Sequence, residues 1–313
     1  KVSESSGRRE ILWQQENVPA VELQSDTPAW YTPNRTLSVS EFASWADVAQ
    51  WAMPLYDDAA AVDPTVQLLA DQLAAHQDAT GKVMAALHFV QQEIRYLGME
   101  DGIGSHRPRH AADTLYRRYG DCKDKTVLLM ALLKAMGFKP SAALVSLDQG
   151  AGLPNQQPSP YLFDHVIVTL LLDGQRLWLD GTLLNQGDRL DTVAVPYYRY
   201  ALLVAAGATS LTPMDGDYRP AEVSVRHELW VQKDQNRLQI ESQYQGEQAE
   251  QQLRELTLCF NRLAQRWTEL LARQQQLASV IHAEERNACS ACCAAVRGSS
   301  AEATALGPVV TEP

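Results

Sequence analysis

No apolar run in the 313 residues approaches the ~18 that a membrane-spanning helix requires, so no part of the chain is expected to insert into a bilayer. Positive charge is also scarce. Lys and Arg number 27 against 38 Asp and Glu, giving a net charge of −11, and no basic cluster stands out. Nucleic acid is excluded as an expected partner, because binding phosphates needs a local excess of Lys and Arg. Anionic membrane surfaces are disfavoured on the same ground. The 5 cysteines are too few and too unevenly placed for a disulfide framework. Three of them, Cys289, Cys292 and Cys293, crowd into one stretch, while Cys122 and Cys259 stand alone. No calcium-binding loop pattern is visible. The chain begins at Lys1 without a Met or an apolar signal core, so any export signal is expected upstream of it.

What remains is ordinary globular material: 45% hydrophobic and 21% charged residues, enough for about two domains. No internal repeat is found. Residues 1–39 carry Pro19, Pro28 and Pro33 with little helical period, and read as the end of an upstream β-rich domain. Ile11 to Trp13 and Val18 to Leu23 are short strand candidates within it. From Ser40 the period becomes helical. Ser40 is expected to cap a helix over Phe42, Trp45, Val48, Ala49 and Ala52. Asp63-Pro64 opens a second helix and Thr80 precedes a third. The glycine-bearing stretch from Gly98 to Arg109 reads as a loop, and Ala111 to Arg118 as a short helix. The run from Cys122 to Met136 is almost uniformly apolar, which predicts a helix buried at the domain centre. Asp121 and Asp124 are spaced to cap its start. Strands follow at Ser141 to Ser146, Phe163 to Leu172, Gln175 to Asp180 and Tyr198 to Val204. Residues 40–215 therefore read as one α+β unit. Residues 216–285 form a second unit, with alternating strands at Ala221 to Val231 and Arg237 to Tyr244, then a polar helix from Gln248 to Leu277. Residues 286–313, rich in Ala, Ser and Cys, are expected to be disordered.

The chemistry concentrates on Cys122. A helix N-terminus supplies partial positive charge and free N–H groups, both of which favour a thiolate. The charged Asp121, Lys123, Asp124 and Lys125 suggest that this thiol sits at an exposed helix entrance, although the helix body is buried. A nucleophilic thiol needs a base, and the base needs an orienting group. Asp173-Gly174 is a two-residue hairpin signal that sets Leu172 opposite Gln175 and His165 opposite Thr182. Asp180 then lies diagonally from His165 on the same face, about 7–8 Å away along the backbone and within side-chain reach. A slip of one residue would separate them.

The segments Tyr119-Gly120-Asp121-Cys122-Lys123-Asp124-Lys125, Phe163-Asp164-His165 and Leu179-Asp180-Gly181-Thr182 together resemble the active-site signature of bacterial transglutaminase-like proteins. Ile94-Arg95-Tyr96 and Arg107-Pro108 resemble the same family's lead-in, so the likeness spans residues 80–185. Residues 8–57 are similar to the end of an uncharacterised β-rich domain, and Gly246 to Glu255 to a segment that follows the core. The resemblance implies a papain-like fold, with the helix of Cys122 packed on an antiparallel sheet that carries His165 and Asp180. It implies a Cys-His-Asp hydrolase or transamidase acting on amide bonds of proteins or peptides through a thioester, without a cofactor. It also implies a protein exported to the periplasm of a bacterium. Tyr96, Asp121 and Lys123 are candidates for oxyanion or substrate contact. The competing reading is a catalytically silent binding or scaffold module of an exported protein.

Other residues carry weaker readings. His88, His106 and His110 are alternative bases, His88 inside a helix and the others in the loop before Cys122. Cys289-x-x-Cys292-Cys293 with His282 contains one zinc-like pair but lacks the second that a structural site needs, so no metal is expected. Cys259 reads as a core residue of the long helix.

Overall fold

The computed structural model describes residues 2–98, 105–214 and 222–245, apart from positions 6, 22–24, 26, 185, 188, 191, 192 and 232–235, together with scattered helical positions from 249 to 273. The expected tail, Cys259 and the Cys289 cluster lie outside the described residues.

The architecture is α+β. Near the start, β1 (Val2–Ser5) pairs antiparallel with β2 (Arg8–Ile11) around Gly7, whose φ of 73° suits glycine. Residues 18–21 form no strand, and Pro19 removes one of the N–H groups that a strand would use. The first helix, α1 (Trp45–Ala59), begins four residues later than the Ser40 reading. Ser44 caps it instead. Its hydroxyl accepts from the Asp47 N–H at 3.2 Å, and the Asp47 carboxylate accepts from the Ser44 N–H at 2.9 Å. Ser40 instead donates to the Pro158 carbonyl. A reciprocal capping box, which a lone serine cannot make, decides where the helix starts.

Asp63 caps α2 (Pro64–Ala74), with Pro64 in the first turn. The third helix, α3 (Ala79–Glu93), is capped by Asp78 rather than opened at Thr80. Asp78 accepts the Gly81 N–H at 2.7 Å. Next come β3 (Arg95–Tyr96), α4 (Ala111–Arg117) and β4 (Tyr119–Gly120), with β3 and β4 paired in parallel. This pairing fixes the entrance to α5 (Cys122–Ala135), every residue of which is buried from Cys122 to Leu133.

Behind α5 stands a five-stranded antiparallel sheet. It is made of β5 (Ser141–Val145), β6 (His165–Leu172), β7 (Gln175–Leu179), β8 (Tyr200–Val204) and β9 (Thr212–Pro213), in the order β7-β6-β5-β8-β9. The β6–β7 register sets Leu172 opposite Gln175 and Val168 opposite Leu179, as the Asp173-Gly174 hairpin predicts. Both hairpin residues have positive φ, 51° and 79°, the geometry of a type I′ turn. Strand alternation divides the sheet between two cores. Ala142, Leu144, Val166, Val168 and Leu202 pack with the helices, whereas Ala143, Val145, Ile167, Trp178 and Ala201 pack with Tyr198 and Met214 on the other face. Further along, β10 (Glu222–Val231) and β11 (Asn236–Gln245) form a long antiparallel pair.

Candidate functional site

The start of α5 is where sequence reading and structure part most instructively. Asp121, Cys122, Lys123, Asp124 and Lys125 are all buried, with Cys122 only 4% exposed, so the entrance is not the solvent-facing one that its charges suggest. Each charge is answered inside the protein. Lys123 Nζ lies 2.7 Å from Asp121 Oδ2. Asp124 accepts from the Arg109 backbone N–H and from its Nη1, both at 2.8 Å. Lys125 Nζ donates to the Ile94 carbonyl at 2.6 Å. Buried charges persist only with such partners. Burial, against the opposing pull of Asp180, pushes Lys125 down to about 8.

Helix capping completes the entrance. Asp121 Oδ1 accepts from the N–H groups of Lys123 at 2.9 Å and Asp124 at 3.1 Å. The Asp124 side chain accepts in return from the Asp121 N–H at 3.4 Å. Gly120 is required here: a Cβ on it would lie 2.5 Å from Asp124 Cβ.

His165, the first residue of β6, directs Nε2–H to Asp180 Oδ2 at 2.8 Å. Its other ring nitrogen, Nδ1, is thereby left as the acceptor, and His165 shares one cavity wall with Cys122. Asp180 follows β7 directly and is 1% exposed. Four donors converge on its carboxylate. Besides His165, Oδ2 accepts from Tyr198 Oη at 3.2 Å, while Oδ1 accepts from the Thr182 N–H at 2.8 Å and its hydroxyl at 2.7 Å. Gln91 fastens the same corner from α3, its Nε2 donating to the Asp180 carbonyl at 2.9 Å.

This arrangement sets opposite charges on the pair. For His165, burial acts against the charged ring, but the hydrogen bonds to Asp180 and Cys122 and their negative charge outweigh it and push the imidazole up to about 10. For Asp180, burial works against the carboxylate, yet the bonds from His165 and Thr182 and the His165 charge hold it below the usual carboxylate range. A neutral imidazole that gives Nε2–H to the buried carboxylate can take the thiol proton at Nδ1, leaving an imidazolium beside a thiolate, and can return it.

A cavity of about 230 Å³ opens beside the sulfur, walled by Cys122, His165, Tyr56, Phe163, Trp51 and His106 among others. Tyr56 comes from α1. Burial first, then the negative charges of Cys122, Asp121 and Asp124, raise its pKa and keep the phenol protonated. His106 is held below its ordinary value by burial and by the Lys123 ammonium.

The three residues singled out by spacing, Cys122, His165 and Asp180, are thus brought together. Asp121 and Lys123 are present as well, joined to each other. Tyr96 pairs with Gly120 but is 54% exposed and does not line the cavity. Of the alternative bases, only His106 reaches the cavity. His88 faces the Gly187 carbonyl at 3.3 Å, and His110 precedes α4 without a side-chain capping bond. No group of three or more His, Cys, Asp or Glu that could hold a metal ion occurs among the described residues.

The roles of Tyr56, Gln91 and Tyr198 escaped the sequence reading, and Thr182 entered it only as the residue opposite His165 and a member of the Asp180 motif, not as a donor to Asp180. Thr182 had a usable signal, since an Asp two residues before a Thr commonly closes a local turn. Tyr56, Gln91 and Tyr198 come from distant segments and had none.

No family model and no curated protein matches the chain. Among solved structures, a candidate protease from Parabacteroides distasonis is similar at a TM-score of 0.40 and 13% identity, over 55% of this chain and 31% of that one. A candidate cysteine protease from Cytophaga hutchinsonii is similar at a TM-score of 0.32 and 14% identity, over 62% of this chain and 55% of that one. The chain thus spans about a third and about half of the lengths of these two structures.

Proposed function

We propose that the chain is a cysteine-dependent acyl-transfer enzyme acting on amide bonds of proteins or peptides, with Cys122 as nucleophile, His165 as general base and acid, and Asp180 as the group that orients the imidazole. The observation that carries this reading is the buried Asp180 carboxylate bound to His165 Nε2 at 2.8 Å, with that imidazole facing the same cavity as Cys122 at the first turn of α5. A buried core cysteine needs no such partner.

In the proposed cycle the Cys122 sulfur attacks the amide carbonyl carbon while its proton resides on His165 Nδ1. The N–H groups of Lys123 and Asp124 are taken by Asp121, so the backbone N–H of Cys122 is the helix donor left for the developing oxyanion. The protonated Tyr56 phenol on the cavity wall supplies the second donor. Collapse of the tetrahedral intermediate breaks the C–N bond, His165 protonates the departing amine, and a thioester remains. Water or a second amine, giving up a proton to His165, then attacks the thioester and frees the thiol. The first acceptor makes a peptidase or amidase, the second a transamidase.

Incubating the protein with casein and a fluorescent primary amine, while assaying new amino termini, separates these outcomes. Covalent label indicates amine transfer, and new termini indicate hydrolysis. Both activities are expected to vanish in Cys122→Ala. Absence of either product, together with iodoacetamide reacting at Cys122 no faster than with free cysteine at pH 6, sinks the enzyme reading in favour of a silent scaffold.

A further inference from the structure

The wall of the cavity beside Cys122 is built for a particular kind of occupant. Trp51, Tyr56, His106, Tyr161 and Phe163 contribute five aromatic rings, joined by Leu144 and Pro160. Three of the rings form a run at the mouth: His106 meets Trp51 at 5.4 Å and Tyr161 at 4.9 Å between centroids, both edge to face. The charged groups on the wall are already committed. Lys123 is paired with Asp121, and His165 with Asp180. Asp164 accepts from Ser146 Oγ at 2.9 Å, Leu147 N at 2.9 Å and Asp148 N at 3.2 Å. His106 is held toward its neutral form, and its buried Nε2 has no hydrogen-bond partner. The volume of about 230 Å³ corresponds to roughly seven or eight waters of liquid, enough for the seven heavy atoms of a benzyl group.

We propose that this cavity is the acyl-donor subsite and that it selects a bulky uncharged side chain, aromatic above all, next to the carbonyl attacked by Cys122. The assignment rests on the nucleophile reading for its catalytic meaning, and on the wall itself for its preference. A carboxylate or ammonium entering here would shed its water and find no free counter-charge among the described residues. An aromatic ring meets ring edges and faces at stacking distances. Tyr161, 82% exposed, and Trp51, 36% exposed, form the rim that such a group would cover.

The test uses N-acetyl aminoacyl chloromethyl ketones bearing Phe, Leu, Ala, Glu or Lys side chains. The Cys122 sulfur displaces chloride from each to leave a thioether, quantified on the Cys122 peptide by mass spectrometry. The Phe reagent is expected to label at least about tenfold faster than Ala, with Glu and Lys no faster than Ala. The Phe-to-Ala ratio is expected to fall in Trp51→Ala and in Tyr161→Ala, the latter at a position exposed enough for the fold to tolerate. Equal rates across the series, or Glu or Lys leading, with iodoacetamide still fast at pH 6, overturn the subsite and leave the nucleophile standing. If iodoacetamide is slow, the nucleophile reading fails, and the cavity is judged by saturation-transfer NMR on the same chain. Contact with N-acetylphenylalaninamide but not with N-acetylglutamic acid amide, lost in Tyr161→Ala, then upholds its preference. Indifference between the two overturns it.

Discussion

Replacing Asp180 by Asn keeps the shape of the buried corner and changes only its hydrogen-bonding grammar. The carboxylate accepts four bonds, from His165 Nε2, Tyr198 Oη and the Thr182 N–H and hydroxyl, at 2.8, 3.2, 2.8 and 2.7 Å. An amide offers one accepting oxygen and a donating NH₂. If the oxygen keeps the two Thr182 donors, the NH₂ faces His165 Nε2–H and the Tyr198 hydroxyl, donor against donor. The imidazole then relieves the conflict by moving its proton to Nδ1. With Nδ1 protonated, the ring can no longer receive the thiol proton there. In serine proteases the equivalent exchange leaves the geometry intact but imposes the wrong tautomer, and kcat falls by about 10⁴. A loss of that order is expected here.

The same substitution acts on charge. Burial works against the charged His165 ring, yet the bonds and charges of Asp180 and Cys122 outweigh it and set the ring at about 10. At about 1.4 kcal/mol per pKa unit, such a rise is worth several kcal/mol, more than an exposed ion pair supplies. Without Asp180, burial and the surviving Cys122 contact compete alone, and the ring is expected to lose its proton at a markedly lower pH. Titrating ¹⁵N-labelled wild type and Asp180→Asn from pH 4 to 11 by NMR reads both tautomer and protonation, alongside turnover on a peptide substrate. The reasoning fails if wild-type His165 titrates near 6.5, or if the variant retains the Nε2–H tautomer and wild-type turnover.

Three further outcomes follow from the same geometry. Tyr56→Phe removes the cavity phenol and is expected to lower kcat about 10²-fold while leaving the thermal midpoint nearly unchanged, checked by steady-state kinetics and calorimetry. Lys125 is pushed from 10.5 to about 8 by burial, so the unfolded chain binds more protons between those values and stability rises with pH across that window, by about 3 kcal/mol in all; it is lost as the pH falls through about 8. Urea midpoints of wild type relative to Lys125→Met are expected to show that slope, and its absence would refute the linkage. Gly120→Ala places a Cβ 2.5 Å from Asp124 Cβ and is expected to cost about 1–3 kcal/mol through overpacking, with added loss of activity as the Arg109–Asp124 bonds shift. Denaturant melts and turnover assays measure both effects.

Periodicity and turn chemistry carried much of the fold into view because both are local. Leu172 pairs with Gln175 since Asp173 and Gly174 adopt positive φ, and that register brings Asp180 to His165. The start of α5 was legible in the same way, as Asp121 and Asp124 cap it within four residues. Partners chosen by tertiary packing were not legible. A run of Asp, Lys, Asp and Lys beside a cysteine reads as solvent-facing because charge ordinarily seeks water. Here Arg109 reaches Asp124 from 15 residues away, and the Ile94 carbonyl meets Lys125 from 31. The buried charges make a rigid cradle at the head of α5. They also explain how a thiol can be almost wholly sheltered from solvent yet remain within reach of a proton acceptor: the entrance is closed by ion pairs that hold the helix, and access to the sulfur comes through the aromatic cavity beside it. Tyr56 and Tyr198 fit the same logic. Each was indistinguishable in sequence from a core aromatic, and only tertiary packing brings the Tyr198 hydroxyl to the Asp180 carboxylate and Tyr56, from α1, to the cavity wall.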